Sequence, residues 1–295
     1  MKESDIMIEA YDLRRSFGNK EAVAGISFTC RRGEIFGLLG PNGAGKTTTI
    51  RMLTGQIDPT GGCAIVAGCD VVKERARLKE RIGVVFEDQN LYERLSARNN
   101  LNFSCWLYGL PTSRVNEVLD LVHLRDRAKD PVRTFSNGMK QRLMVARALI
   151  HRPPMLFLDE PSRGLDPISA REVRQAVQHL CEEGTTILLT THLMEEADQL
   201  CQRMAFIVAG RLVANDTPRN LKLAHGQRAM KVTLEESQQG QNGTTPLTEV
   251  TLGLDNPGDA ERLAQWMEQG KVRAIHSREA TLEEVFIEVA GIRPA

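Results

Sequence analysis

The chain has 295 residues, 41% hydrophobic and 26% charged, with a formal net charge of zero. That length buries a substantial core and accommodates one large domain or two. The charge balance leaves no global field to draw in nucleic acid or an anionic bilayer.

The six cysteines, at 30, 63, 69, 105, 181 and 201, form no CxxC pair and no Cys/His metal spacing. A reduced, cytosolic protein is the simplest reading. The opening segment "MKESDIMIEAYDLRR" carries charges throughout, unlike a signal peptide. Apolar runs such as Met155–Leu158 and Ile187–Leu189 are far below spanning length, so a role at a membrane would need a second polypeptide to cross it.

In chain order, the first marked unit is an apolar strand at Ile35–Leu39, a glycine-rich loop and a helix over Thr47–Leu53. The loop in "GLLGPNGAGKTTTI" fits the P-loop pattern Gly40-x-x-x-x-Gly45-Lys46-Thr47. Its glycines let the backbone of Gly40, Pro41, Asn42, Gly43, Ala44 and Gly45 wrap phosphates, with Thr48 just beyond. Lys46 reaches the β/γ oxygens and the Thr47 hydroxyl binds Mg²⁺. A bare glycine-rich turn is the competing reading, and the flanking strand and helix argue against it.

Residues 96–123 read as a helical insertion. Ser96 is placed to cap one helix running to Gly109-Leu110-Pro111, and Thr112 or Ser113 a second, with Val115, Val118, Leu119 and Val122 at helical spacing. The stretch "TFSNGMKQR" then poses a choice. Asn-Gly is a hairpin signal, yet no β-patterned strand follows, and Met139–His151 is periodic like a helix. We read "SNG" as a helix start with Ser136 as N-cap, whose N–H groups and positive dipole end suit a phosphate. Lys140 and Arg142 would oppose that dipole unless an anion lies there.

"MLFLDEP" gives four consecutive apolar residues, as in a strand buried on both faces of a parallel sheet. Asp159 and Glu160 lie at its carboxyl end, where such sheets bind ligands, and adjacent residues point in opposite directions. Asp159 would hold the Mg²⁺ shell while Glu160 orients and polarises the attacking water. Thr186–Thr190 repeats the strand theme and ends at Thr191-His192, where a neutral His192 could hydrogen-bond a γ-phosphate, although a lone histidine is more often structural. Beyond Thr217-Pro218 the pattern shifts. "KVTLEES", a polar loop at 237–246, "TEVTLGLD", a helix around Ala260–Glu268, "KVRAIHS" and a last helix over Thr281–Ala290 suggest a small α/β extension. Alternating strands and helices predict an α/β fold, divided into domains at 1–220, with a helical subdomain at about 88–150, and 221–295.

Over roughly residues 6–220 the chain resembles the ATP-binding subunits of bacterial ABC transporters. P-loop, signature, Walker B, D-loop and H-loop occur in the family order. Against the family pattern LSGGQ the chain has Phe135-Ser136-Asn137-Gly138-Met139, which departs at three positions and keeps the serine and second glycine. The D-loop reads "SRGLD", Ser162–Asp166, the H-loop histidine is His192, and Phe17 stands where the family stacks an aromatic ring on adenine, with core packing as its other reading. The tail "SREATLEEVFIEVAG" looks, more loosely, like the extension of the exporter group that includes drug- and antibiotic-resistance pumps.

The resemblance implies a P-loop NTPase fold with a mixed sheet core, helical subdomain and small α/β C-terminal extension. It implies ATP and Mg²⁺ as cofactors, with Lys46, Glu160 and His192 catalytic. It implies a homodimer or pseudo-dimer, head to tail, in which Ser136, Asn137, Gly138 and Asp166 complete a partner's ATP site. It implies a separate integral-membrane permease, attachment through it to the cytoplasmic face of the inner membrane, export, and no nucleic-acid partner. The Q-loop departs from the family. In "IGVVFEDQNLYERLS" Glu87 aligns with the family glutamine, which would add it to Thr47 and Asp159 at the metal, while Gln89 lies two residues later and could serve instead. Tyr92–Leu95 and the helix after them would lie near the groove for the permease. Trp106 and Tyr108 read as core packing more readily than as part of that contact.

The alternative function is a soluble ABC ATPase acting as a mechanical switch on nucleic acid or ribosomes. Such proteins normally carry two cassettes or long coiled coils, and this chain has neither. A P-loop kinase or GTPase lacks the Asn-Lys-x-Asp guanine signal here and would leave "SNGM" and "SRGLD" unexplained.

Overall fold

Two long strands open the chain. β1 (Ile6–Phe17) and β2 (Lys20–Arg31) pair antiparallel, and β2 alternates buried and exposed residues from Ile26 to Arg31, as a strand with one wet face does. In β3 (Ile35–Leu39) every residue is buried, as in a strand covered on both faces. It leads through the glycine-rich loop into α1 (Lys46–Leu53). β4 (Gly61–Val66) and β5 (Cys69–Asp70) then join the first pair in an antiparallel sheet ordered β2-β1-β4-β5. This computed structural model describes residues 5–88, 90–225, 229–235, 247–253, 256–278 and 280–291.

After α2 (Arg75–Arg81) and β6 (Ile82–Val85) comes the helical insertion, with α3 (Ala97–Leu107), α4 (Arg114–Leu121) and α5 (Asn137–Ala148). Ser96 caps α3, accepting from the Asn99 N–H at 3.2 Å. Ser113 precedes α4 without a side-chain cap. Val115, Val118, Leu119 and Val122 are all buried, as their spacing predicted. Ser136 caps α5, accepting from the Met139 N–H at 3.2 Å, so "SNG" opens a helix and not a hairpin.

β7 (Met155–Asp159), α6 (Pro167–Glu182), β8 (Thr186–Thr191), α7 (Met194–Leu200), β9 (Arg203–Val208) and β10 (Arg211–Asp216) complete a central sheet and its cover. Its order is β10-β9-β3-β8-β7-β6, parallel throughout except for the antiparallel β10, which makes it a mixed sheet. Register then sets function. Leu39 pairs with Thr191 and Asp159 with Thr190, so three strands end level. Gly40, Glu160 and His192, each one residue past its strand, emerge together at the carboxyl edge where such sheets bind ligands.

The chain divides into two compact units, Met1–Pro218 and Arg219–Ala295. α8 (Pro218–His225) starts at the boundary. The second unit has β11 (Ala229–Glu235), β12 (Leu247–Gly253), α9 (Pro257–Glu268), β13 (Val272–Arg278) and α10 (Leu282–Val289), with an antiparallel sheet ordered β12-β11-β13. Thr281 and Glu284 form a reciprocal capping box at the start of α10. The polar 237–246 stretch lies outside the described residues. Among the described residues, no helix is long and apolar enough to cross a membrane.

Candidate active site

Beyond β3 the loop glycines answer to geometry. Gly45 adopts φ 113°, and a Cβ there would meet the Ala22 carbonyl at 2.6 Å. A Cβ on Gly40 would meet the Ile207 carbonyl at 2.2 Å. Only glycine lets the loop lie this close to the core backbone. Gly45 is also the N-cap of α1 and has no side chain to cap it, which leaves first-turn N–H groups for an anionic ligand.

Lys46 is buried under this loop. Its Nζ donates to the Gly40 carbonyl at 2.6 Å and the Pro41 carbonyl at 3.2 Å, and lies 3.0 Å from Glu160 Oε1. Glu160 follows β7 in the left-handed region, φ 52°, with its N–H donating to the Thr190 carbonyl at 3.0 Å and hydroxyl at 3.1 Å. For a non-glycine residue that backbone costs on the order of 1–3 kcal/mol, a strain typical of functional sites. Glu160 Oε2 lies 2.7 Å from His192 Nδ1. Oε1 is buried and, among the described residues, accepts no hydrogen bond, so the nearby ammonium is an electrostatic neighbour only. Buried acceptors without a donor are few in folded proteins, which sets this carboxylate apart.

Asp159, one residue earlier, is buried and accepts from the Thr190 hydroxyl at 2.5 Å. Burial pushes its carboxyl above the usual range, the Thr190 and Thr47 hydroxyls pull it back, and the charges of Glu160 and Glu87 add to the rise. A hydroxyl and a carboxylate therefore stand together beneath the loop. Among the described residues no cluster of three or more His, Cys, Asp or Glu groups forms a ready metal cage. An octahedral cation that keeps waters and ligand phosphates needs only such a pair from protein.

A cavity of about 500 Å³ opens over these groups. Pro41, Asn42, Gly43, Gly45, Lys46, Thr47 and Thr48 contribute from the loop, Phe17 and Lys20 from the first hairpin, and Glu87, Glu160 and Arg163 from other segments. Gly40 and Ala44 are buried and do not line it. Phe17 is half exposed, with the Arg15 guanidinium 4.5 Å from its ring centroid, so its reading as core packing does not hold.

Other sequence-marked residues lie apart from this cavity. Ser136, Asn137 and Gly138 do not line it, and neither does Asp166. Asp166 caps α6, accepting from the Ile168 N–H at 3.1 Å and the Ser169 N–H at 3.0 Å. The Ser169 hydroxyl, more than any other group, holds its carboxyl below the usual range. A Cβ on Gly138 would meet Ser169 Cβ at 2.4 Å, so that glycine is where α5 closes on α6. Lys140 and Arg142 of α5 meet carboxylates of the chain itself. Lys140 reaches Glu93 at 2.6 Å, and Arg142 reaches Glu172 at 3.1 Å and the Val122 carbonyl at 3.1 Å. Gln89 lies outside the described residues. Trp106 is 75% exposed, so it is no core residue, and Tyr108 stacks on His151 at 4.3 Å between ring centroids.

A family profile described as "ABC transporter" matches residues 23–163. A fluoroquinolones export ATP-binding protein of Mycobacterium tuberculosis is 42% identical over 286 residues, spanning 97% of this chain and 93% of that protein. The chain belongs to the ABC transporter family. A daunorubicin resistance ATP-binding protein of Streptomyces coeruleorubidus is 38% identical, covering 98% of this chain and 97% of that one. Among solved structures, a component of an ABC transporter complex from Clostridium perfringens matches with TM-score 0.70 and 26% identity, over 76% of this chain and 93% of that one.

As an ABC ATPase the protein binds nucleotide, and the carboxyl edge of its mixed sheet brings together the P-loop, Asp159, Glu160 and His192. The ABC pattern did not single out Lys20, Thr190 or Arg163. Arg163 was visible only as part of "SRGLD", Thr190 only as a strand-end hydroxyl, and Lys20 carried no signal.

Proposed function

We propose that this chain is the ATP-hydrolysing subunit of an ABC exporter, attached to the cytoplasmic face of the membrane through a separate permease. The observation that carries it is Glu160, held in a left-handed turn between Lys46 and His192 beside the phosphate loop. Its carboxylate is suited to orient and polarise the attacking water. His192 holds the carboxylate through Nδ1 and presents its other nitrogen to the γ-phosphate. Lys46 exchanges the Gly40 and Pro41 carbonyls for the β/γ oxygens when nucleotide enters. Magnesium, when bound, neutralises phosphate charge, and Thr47 and Asp159 are the residues that would hold it. Phe17 stacks on adenine. Residues 1–220 form the nucleotide-binding domain and 221–295 an accessory extension.

A head-to-tail dimer supplies the rest. Ser136, Asn137, Gly138 and Asp166 do not line the chain's own cavity, which supports assigning them to a partner's ATP. Closure on ATP and opening after hydrolysis would then bias the permease between its two states. Export is supported by the relatives. One is named for fluoroquinolones export and another for daunorubicin resistance, and a 37% identical protein of Cupriavidus metallidurans is named for Nod factor export. Affinity purification of the tagged chain from detergent-solubilised membranes tests the reading. A multi-span permease should co-purify and raise the ATPase rate on reconstitution. Recovery with ribosomes or nucleic acid and no membrane protein would support the mechanical-switch alternative instead.

A further inference from the structure

Two carboxylates, Glu87 and Glu160, line the nucleotide cavity, and the buried Asp159 feels the charge of both. Glu160 is answered by Lys46 and His192. Glu87 is answered by Arg163, whose Nη1 donates to its Oε1 from 76 residues away in sequence. Both groups line the cavity and are a little under half exposed. Arg163 rides on the turn that carries Glu160, its N–H donating to the Glu160 carbonyl at 3.1 Å. Three residues past Glu87, Asn90 is gripped by Arg147 from the last turn of α5, through its carbonyl at 2.7 Å and its side-chain oxygen. The segment is thus fastened at both ends by guanidinium groups, one on the catalytic turn and one on the helix that begins at Ser136.

We propose that Arg163 is a positioning residue for nucleotide, neutralising Glu87 and holding it so that this carboxylate does not repel the incoming triphosphate. The inference rests on the reading of this cavity as the ATP site. Lys46 cannot supply the same compensation, because it is already committed to Glu160 and the loop carbonyls. Losing the guanidinium leaves an uncompensated anion in the wall of a site for a polyanion. The effect is that of a solvent-screened ion pair, about three- to fivefold in affinity at low salt, and it shrinks as salt rises.

The test is ATP binding with magnesium by titration calorimetry on the full chain, at low and high salt. It compares wild type, Arg163→Ala, Arg163→Lys, Glu87→Gln, Glu87→Gln/Arg163→Ala and Lys46→Ala, with thermal melts as a check on folding. Arg163→Ala should bind about three- to fivefold more weakly at low salt, and adding Glu87→Gln should restore affinity. Arg163→Lys should stay near wild type, and if the alanine variant fails to fold, Arg163→Gln, which keeps the stem and loses the charge, takes its place in each comparison. Wild-type affinity in Arg163→Ala overturns the proposal. So does a double variant as weak as Arg163→Ala, since Arg163 would then act on nucleotide without Glu87. If Lys46→Ala binds ATP like wild type, the site reading itself fails; if it loses binding while Arg163→Ala does not, only the role of Arg163 fails.

Discussion

Lys46 Nζ and Glu160 Oε1 stand 3.0 Å apart with both side chains almost fully buried, so the cation that we assign to phosphate and the carboxylate that we assign to the attacking water are paired within the chain itself. Lys46→Ala should therefore do two things. It should weaken ATP binding, and it should lower the melting temperature of the nucleotide-free protein by stranding a buried anion. The loss should fall below the roughly 3–5 kcal/mol of a broken buried pair, because His192 still faces the carboxylate. Adding Glu160→Gln should recover the stability and not the affinity, as thermal melts and ATP titrations would show. Unchanged stability in Lys46→Ala would mean that the pair carries no weight in the empty site.

Glu160→Gln alone should keep ATP binding and lose turnover by about a hundredfold or more. Phosphate release measured beside ATP affinity separates the two effects. With ATP and magnesium, light scattering should show this variant accumulating as a dimer. Hydrolysis at the wild-type rate would remove Glu160 from its assigned role.

Gly138→Ala places a methyl group against Ser169, where a Cβ would lie 2.4 Å from Ser169 Cβ. Overpacking of this kind costs about 1–3 kcal/mol, and chemical denaturation should show it. Pairing it with Ser169→Gly should return much of that stability, less the cost of a glycine inside α6. If the double variant is stable yet has little ATPase activity, Gly138 has a second duty at the dimer interface. A stable single variant would show that the two helices separate easily.

Glu196 gives a pH dependence with a defined sign. It is buried on α7 and accepts a hydrogen bond from the Ser162 hydroxyl of the D-loop. Burial lifts its carboxyl above the ordinary 4.5, with the Ser162 and Thr191 hydroxyls opposing. The folded protein therefore holds this proton more tightly than the unfolded chain. Its contribution is fully present below 4.5 and is lost as pH rises through the folded value. Glu196→Gln should gain on wild type across that window, by about 1.4 kcal/mol for each unit of elevation. Urea unfolding of both proteins from acid to neutral pH measures it. A constant gap between the two would sink the assignment.

The elements at the carboxyl edge of the central sheet were legible because strand, turn and helix are local patterns. "GLLGPNGAGKTTTI" and "MLFLDEP" each state their own geometry, and Asp159, Glu160 and Lys46 follow from it. What brings them together is register, Asp159 beside Thr190 and Leu39 beside Thr191, and no local pattern encodes that. The same limit hides the partners of the α5 cations. Lys140 finds Glu93 47 residues away, and the partner of Arg142, Glu172, lies on another helix. Trp106 was misread for a different reason. A large apolar ring in a helix normally turns inward, whereas this one lies exposed in a row with Tyr92 and Phe103, ring centroids 5.4 and 6.0 Å apart.

The cap at Ser136 has one more consequence. Its oxygen receives the Met139 N–H at 3.2 Å, which uses a lone pair and leaves the hydroxyl proton to give. The cap fixes the place of that oxygen, while its proton stays free to turn about the Cβ–Oγ bond toward an acceptor. A serine in this position thus holds a donor at the positive end of α5, and an alanine there would remove both the helix cap and the donor in one atom.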